Sequence, residues 1–243
     1  MKAALFQLQP KHLPVKISGY LDDPEMAQLV LCFSSKARLA EAYVYDVIRQ
    51  YFPQAAIAMC STAGEICQSS VYDDSMVAVA LQFDKTTILP ATVNISDYAS
   101  SYDAGIALTK QLTKEDLRYV MVLSDGALVN GSELVKGLAE GAGEKVLVTG
   151  GLAGDGSNFT STLVGLNMQP AHGEIVAIGF YGEHIVVTHG SQGGWDMFGL
   201  EKQITRSADN VLYEIDGQCA LDLYKKYLGP DASGLPGSAL LFP

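Results

Sequence analysis

Two glycine bends of the same form, set ninety positions apart, constrain this chain more than any other feature. Val148-Thr-Gly-Gly-Leu-Ala-Gly-Asp-Gly156 has four glycines in nine residues, no proline, and one carboxylate, Asp155, between Gly154 and Gly156. The β-branched lead-in of Val146, Val148 and Thr149 predicts a strand that runs out into the bend, where glycine permits close backbone approach. Ala58-Met-Cys-Ser-Thr-Ala-Gly-Glu-Ile66 repeats the form, with a short apolar strand, small residues, and Ala-Gly followed by an acid. Gly64 and Gly154 are 90 positions apart (154 − 64), and Leu31-Cys-Phe-Ser-Ser35 aligns with Met121-Val-Leu-Ser-Asp125 at the same offset (124 − 34). Either bend alone would read first as a plain turn. A match in order and spacing is the mark of a duplicated unit.

Each half reads as strand, helix, strand, bend, then further strands. Gln28 to Phe33 is a short apolar run, and Ser34 and Ser35 offer an N-cap to a helix over 38–52, which Pro53 stops. A strand over 55–61 leads into the first bend. Met76 to Phe83 and Ile88 to Ile95 read as a hairpin turning at Asp84-Lys85. A helix over 102–112 is capped near Ser100, and a second buried strand spans 119–123. Asn130 then caps a helix whose Glu133 is placed to reach back, and Gly141 and Gly143 end it. After the second bend come strands over 162–166, 174–180 and 184–189, the last two forming another hairpin. Past residue 190 a turn-rich aromatic stretch precedes a strand over 211–215 and a helix over 220–228. Such mixing favours an α/β fold, a mixed-sheet sandwich of two related halves, over a purely parallel doubly wound sheet; stacking sheet on sheet gives a four-layer αββα form. The divisions expected are a lead-in (1–27), an α/β domain (28–192, halves about 28–96 and 118–190), and the start of a truncated further domain (193–243).

Composition removes several functions. The 243 residues are 48% hydrophobic, enough for a real core, and 16 basic against 27 acidic residues give a net charge of −11. That balance disfavours nucleic acid and anionic membranes, whose binding rests on Lys and Arg. No apolar run approaches the roughly 20 residues that span a bilayer, and Met1 to Gln9 lacks a signal peptide's apolar region. A cytoplasmic protein is expected. Four cysteines make no disulfide scaffold, and the six residues between Cys60 and Cys67 are not zinc spacing, so neither metal nor cofactor is expected.

The chain resembles the FIST (F-box and intracellular signal transduction) sensory domain family. The resemblance rests on Cys60-Ser-Thr-Ala-Gly-Glu-Ile66, Leu123-Ser-Asp-Gly126, Val129-Asn-Gly-Ser-Glu-Leu134 and Thr149-Gly-Gly-Leu-Ala-Gly-Asp155, in order over about residues 28 to 228. Gly194-Trp-Asp-Met-Phe-Gly199 and Asn210-Val-Leu-Tyr-Glu-Ile-Asp-Gly217 resemble the family's passage into its C-terminal domain. Ala127 departs from the usual pattern. The resemblance implies a non-catalytic sensor of small ligands, amino acids among them, with a C-terminal FIST domain and a signalling partner beyond this segment.

The residues themselves support such a ligand. Backbone amides at the bends suit a carboxylate, and Glu65, Asp125 and Asp155 suit an ammonium group. The candidate binding set is Ser34, Ser35, Cys60, Ser61, Thr62, Gly64 and Glu65 from the first half. Ser124, Asp125, Gly126, Asn130, Thr149, Gly150, Gly151, Gly154 and Asp155 complete it from the second. The bland alternative for Glu65 and Asp155 is that they accept bonds within their own turns. Neither bend is a dinucleotide fingerprint, since Gly151 to Gly156 gives G-x-x-G-x-G. Two other classes stay open: an enzyme with Cys60 as nucleophile and His172, His184 or His189 as base, and a scaffold docking through Trp195, Met197 and Phe198.

Overall fold

The computed structural model describes residues 1–8, 14–112, 115–190, 193 and 199–242. The chain divides into two compact units, residues 1–187 and residues 188–243. The larger unit opens with β1 (Lys2–Gln7), β2 (Val15–Gly19), β3 (Leu29–Ser35), α1 (Lys36–Leu39), α2 (Val44–Tyr51) and β4 (Ala56–Thr62). A small hairpin, β5 (Glu65–Cys67) and β6 (Ser70–Tyr72), precedes β7 (Met76–Gln82) and β8 (Thr87–Asn94). Then come α3 (Ser101–Lys110), β9 (Leu117–Ser124), α4 (Gly131–Ala142), β10 (Leu147–Leu152), β11 (Val164–Leu166) and β12 (Glu174–Tyr181).

The strands form two main sheets, of order β11-β4-β3-β7-β1-β2 and β10-β9-β12-β8. In the first, β3 and β4 run parallel while β7 is antiparallel to both β3 and β1. In the second, β9 and β10 run parallel while β12 is antiparallel to both β9 and β8. The order and sense β4-β3-β7-β1 is therefore repeated by β10-β9-β12-β8.

The two-residue period of the strands explains how the layers stack. Val30, Cys32, Ile57 and Met59 face Leu39, Val44, Ile48 and Phe52 of the first helices. The alternate residues Leu29, Ala58 and Cys60 join Phe83, Leu123, Val176, Ile178 and Phe180 in a core shared by both sheets. The second sheet's other face, with Val120, Val122, Ile175 and Ala177, packs on Ala104, Leu108, Leu134 and Leu138 of α3 and α4. The result is the αββα sandwich. It has near-continuous apolar strands because both faces of each sheet are covered.

Capping follows the sequence closely. Ser35 accepts from the Arg38 amide, Ser100 from that of Asp103, and Asn130 from those of Ser132 and Glu133. Four local readings change. The helix expected over 38–52 is broken into α1 and α2 by a turn at residues 40–43. Glu133 does not reach back to its cap but pairs with Lys136 at 2.7 Å. The strands β7 and β8 are consecutive yet lie in different sheets, because residues 83–86 cross the sandwich rather than close a hairpin. Residues 184–189 form no strand, since β12 already has neighbours on both sides. The apolar N-terminal segment, which has little periodicity, supplies β1 between β7 and β2.

The smaller unit holds the meander β13 (Ile204–Ala208), β14 (Val211–Ile215) and β15 (Gln218–Cys219), followed by α5 (Ala220–Leu228). Trp195, Met197 and Phe198 lie outside the described residues.

Phe180 ties the sheets together, with ring centroids 5.8 Å from Phe83 and 5.2 Å from Tyr119. Phe180→Ala should lower unfolding stability by about 3–5 kcal/mol, the usual loss for a buried aromatic. Urea titration followed by circular dichroism reads this directly, and a loss below about 1 kcal/mol would contradict the packing described.

Candidate functional site

The two bends meet. After β10 the Ala153 amide donates to the Ser124 carbonyl (2.8 Å), and the Gly154 amide to the Ser61 carbonyl (2.8 Å). Ser61 returns a bond from its hydroxyl to the Gly154 carbonyl (2.8 Å), and its Oγ accepts from the Leu163 amide (3.0 Å). The approach is close: a Cβ on Gly154 would stand 3.0 Å from the Ala63 nitrogen, so a larger residue there would push the two bends apart by a few tenths of an ångström.

Beside that junction, at the C-terminal ends of the parallel pair β3 and β4, opens a cleft of about 400 Å³. Open α/β sheets place ligand crevices at this end of their strands. Ser35, Thr62, Gly64, Glu65 and Asp155 of the candidate set line it, together with Lys36, Asp73, Asp74 and Asn158. Lys36 is the residue that composition and spacing do not single out. Its signal is positional: it is the first helical residue after the Ser34-Ser35 strand end. Asp73 and Asp74 likewise sit in the turn that returns the chain to β7.

Lys36 Nζ donates to Ser161 Oγ (2.6 Å), Asp155 Oδ2 (3.1 Å) and Thr160 Oγ1 (3.3 Å), with its side chain 27% exposed. Asp155 also accepts from the Thr160 hydroxyl (2.7 Å), the Ser161 amide (3.2 Å) and Asn158 Nδ2 (3.3 Å). Burial pushes the Asp155 carboxyl up. The bonds from Thr160, Ser161, Lys36 and Asn158 outweigh it and hold the group well below the ordinary carboxylate range. Glu65 is buried in a cage of its own. It accepts from Thr62 Oγ1 (2.6 Å) and from the Ser75 amide and hydroxyl (2.9 Å each).

The other candidates serve the framework. Ser34 donates to the Ser75 carbonyl and Ser124 to that of Asp125. Asp125 is fully buried, accepting from the amides of Ala127 (2.8 Å), Leu128 (2.7 Å) and Gly173 (3.0 Å). The Gly126 amide donates to Thr162, and Asn130 caps α4. Thr149 bonds the Tyr119 hydroxyl at 2.7 Å. Thr149, Gly150 and Gly151 border a separate, apolar groove of about 210 Å³ between β10 and α4.

A protein-family model, the FIST N domain, matches residues 28–218, well over half of the chain. The chain belongs to the FIST family. The family is one of signal-transduction sensor domains. No curated protein matches this chain. Among the described residues no helix is long and apolar enough to cross a membrane, and no cluster of three or more His, Cys, Asp and Glu could hold a metal.

Within this FIST domain Cys60 is a poor nucleophile. It is buried between the sheets, and burial together with the Asp125 charge pushes its thiol up to about 12. His172, one of its proposed bases, shares its Nδ1 with the Thr162 carbonyl at 2.7 Å. In native protein at pH 8, iodoacetamide should label Cys219, the exposed thiol, and spare Cys60 and Cys32 until the fold is opened. Selective, rapid labelling of Cys60 on peptide mapping would reverse this reading.

Asp155 gives a second test. Its folded value is depressed, so its stabilisation is complete above the unfolded value, 3.8, and drains away as pH falls below it. Asp155→Ala should cost about 1–3 kcal/mol at neutral pH, and the gap from the parent should narrow below about pH 4. Paired denaturation curves across that range check the sign.

Proposed function

We propose that this FIST chain is a non-catalytic cytoplasmic sensor whose cleft binds a small zwitterionic ligand, with amino acids the first class to test. The observation that carries the reading is charge of both signs around one cleft. Lys36 and Asp155 are supplied from different halves of the sandwich, and Asp73 and Asp74 also line the cleft. A ligand carboxylate would replace the longest of the Lys36 bonds, that to Thr160 at 3.3 Å. The ligand's ammonium would meet Asp73 and Asp74. Asp74 is 67% exposed even though Ser35 and Arg38 bond it, which keeps its outer oxygen within reach.

The repeated strand order supports descent of the halves from a tandem duplication. On that reading Glu65 and Asp155 are equivalent acids at the two bends. A C-terminal FIST domain and a downstream signalling partner complete the proposal, with the ligand signal passing to them.

A ligand that binds only the folded state stabilises it by about 2.7 kcal/mol at a hundredfold excess over Kd. A thermal-shift panel of the twenty amino acids should therefore show a concentration-dependent rise for at least one. Lys36→Met, which keeps the aliphatic stem, should abolish that rise while the protein stays folded. A panel in which no amino acid moves the transition would overturn the assignment of ligand class.

A further inference from the structure

We propose, building on the reading of the cleft as a ligand site, that residues 155–161 form an autoinhibitory strap, which occupies Lys36 in the empty cleft and must yield it when a carboxylate enters. The strap is closed at its base. Gly154, just before it, exchanges two bonds with Ser61, and Leu163, just after it, exchanges two more with the same serine. A short loop with its ends pinned this close has the form of an Ω-loop. Between those anchors the chain has no helix or strand, and Asp155, Gly156 and Asn158 form part of the cleft's wall. Among the described residues, the hydrogen bonds that join residues 155–161 to another part of the fold all come from Lys36.

An ammonium group has three N–H donors. Those of Lys36 go to Asp155 Oδ2, Thr160 Oγ1 and Ser161 Oγ, and all three acceptors belong to the strap. With every donor engaged, a carboxylate gains a bond to Lys36 only where the strap gives one up. Thr160 is where it yields, because its bond is the longest of the three, at 3.3 Å, and the residue is exposed.

The strap is also held under strain. Phe159, next to Thr160, has φ +52°, a region that bulky residues avoid, and it is 56% exposed, so burial does not compensate it. Strained residues persist where their surroundings over-determine them, and they gather at switch segments. Here the restraint is one carboxylate oxygen. Asp155 Oδ2 accepts from the Thr160 amide and hydroxyl, the Ser161 amide and Lys36. Drawing Lys36 toward a ligand removes one of these four donors and loosens the segment, which gives a sensor a part that responds.

Acetate, a carboxylate without an ammonium group, isolates this step. It is titrated at constant ionic strength into isotope-labelled protein, and the Thr160 and Ser161 amide signals are followed by NMR. The expected result is a saturable shift at those amides and none in Lys36→Met. Thr160→Val, which lacks the competing acceptor, should bind acetate about three- to tenfold more tightly. A purely structural role predicts the opposite, since that variant also loses a bond to Asp155. If Thr160→Val misfolds, Ser161→Ala removes another of the Lys36 acceptors and carries the same expectation. Equal or weaker binding in a folded variant would overturn the strap, as would the absence of a saturable shift in both parent and variant. Tighter binding of acetate by the variant, with no amino acid moving the thermal transition, would uphold the strap and sink the zwitterionic ligand.

Discussion

The reciprocal hydrogen bonds between Ser61 and Gly154 are the constraint on which the rest of the sandwich depends. Two sheets packed only through apolar faces could slide, because hydrophobic contact is non-directional. Directional bonds at one point remove that freedom. The Gly154 amide and carbonyl both bond Ser61, and Ser61 also exchanges bonds with Leu163, so one fully buried serine fixes two chain segments at the end of β4. Glycine at 154 lets the second bend sit tightly against Thr62 and Ala63. Lys36 at the start of α1 then lies within reach of Asp155, and the cleft takes its shape.

Much of this is legible in the sequence because it is written in local chemistry. Glycine bends, N-cap residues and apolar runs each report on their own few residues, and Ser35, Ser100 and Asn130 cap where their types predict. Which sheet a strand joins is not local. Residues 83–86 are equally compatible with a hairpin and with a crossing, and only the demand for two buried sheet faces chooses the crossing. Likewise the short apolar run within Lys2–Gln7 cannot be told from a loop until β7 is there to pair with it.

The candidate site shows a subtler limit. Small polar residues at strand ends suit a ligand and suit a tight turn equally well, and burial decides between them. Ser34, Ser61, Ser124 and Asp125 are all buried, and buried polar groups must find partners within the protein. Asp125 does so with three amides, which makes it a keystone of its turn. Lys36 escapes notice for the opposite reason. A lone lysine at a helix start is electrostatically ordinary until an acid ninety or more positions away is folded against it. Its meaning lies in |36 − 155|, a separation no local pattern encodes.

The equivalence of the two bends sharpens that point. At the ninety-residue offset Glu65 corresponds to Asp155, and each carboxylate is caged by hydroxyls and amides of neighbouring chain: Thr62 and Ser75 for Glu65, Thr160 and Ser161 for Asp155. Glu65 is closed off, 1% exposed, with every bond made to its own half. Asp155 has one further partner, Lys36 from the other half, whose side chain is 27% exposed at the cleft. One bend thus holds its acid as internal scaffolding, while the other shares its acid across the join. Any anion entering the cleft competes with Asp155 for Lys36. Occupancy of the cleft and the tie between the halves therefore draw on the same three N–H donors, and a change in one is a change in the other.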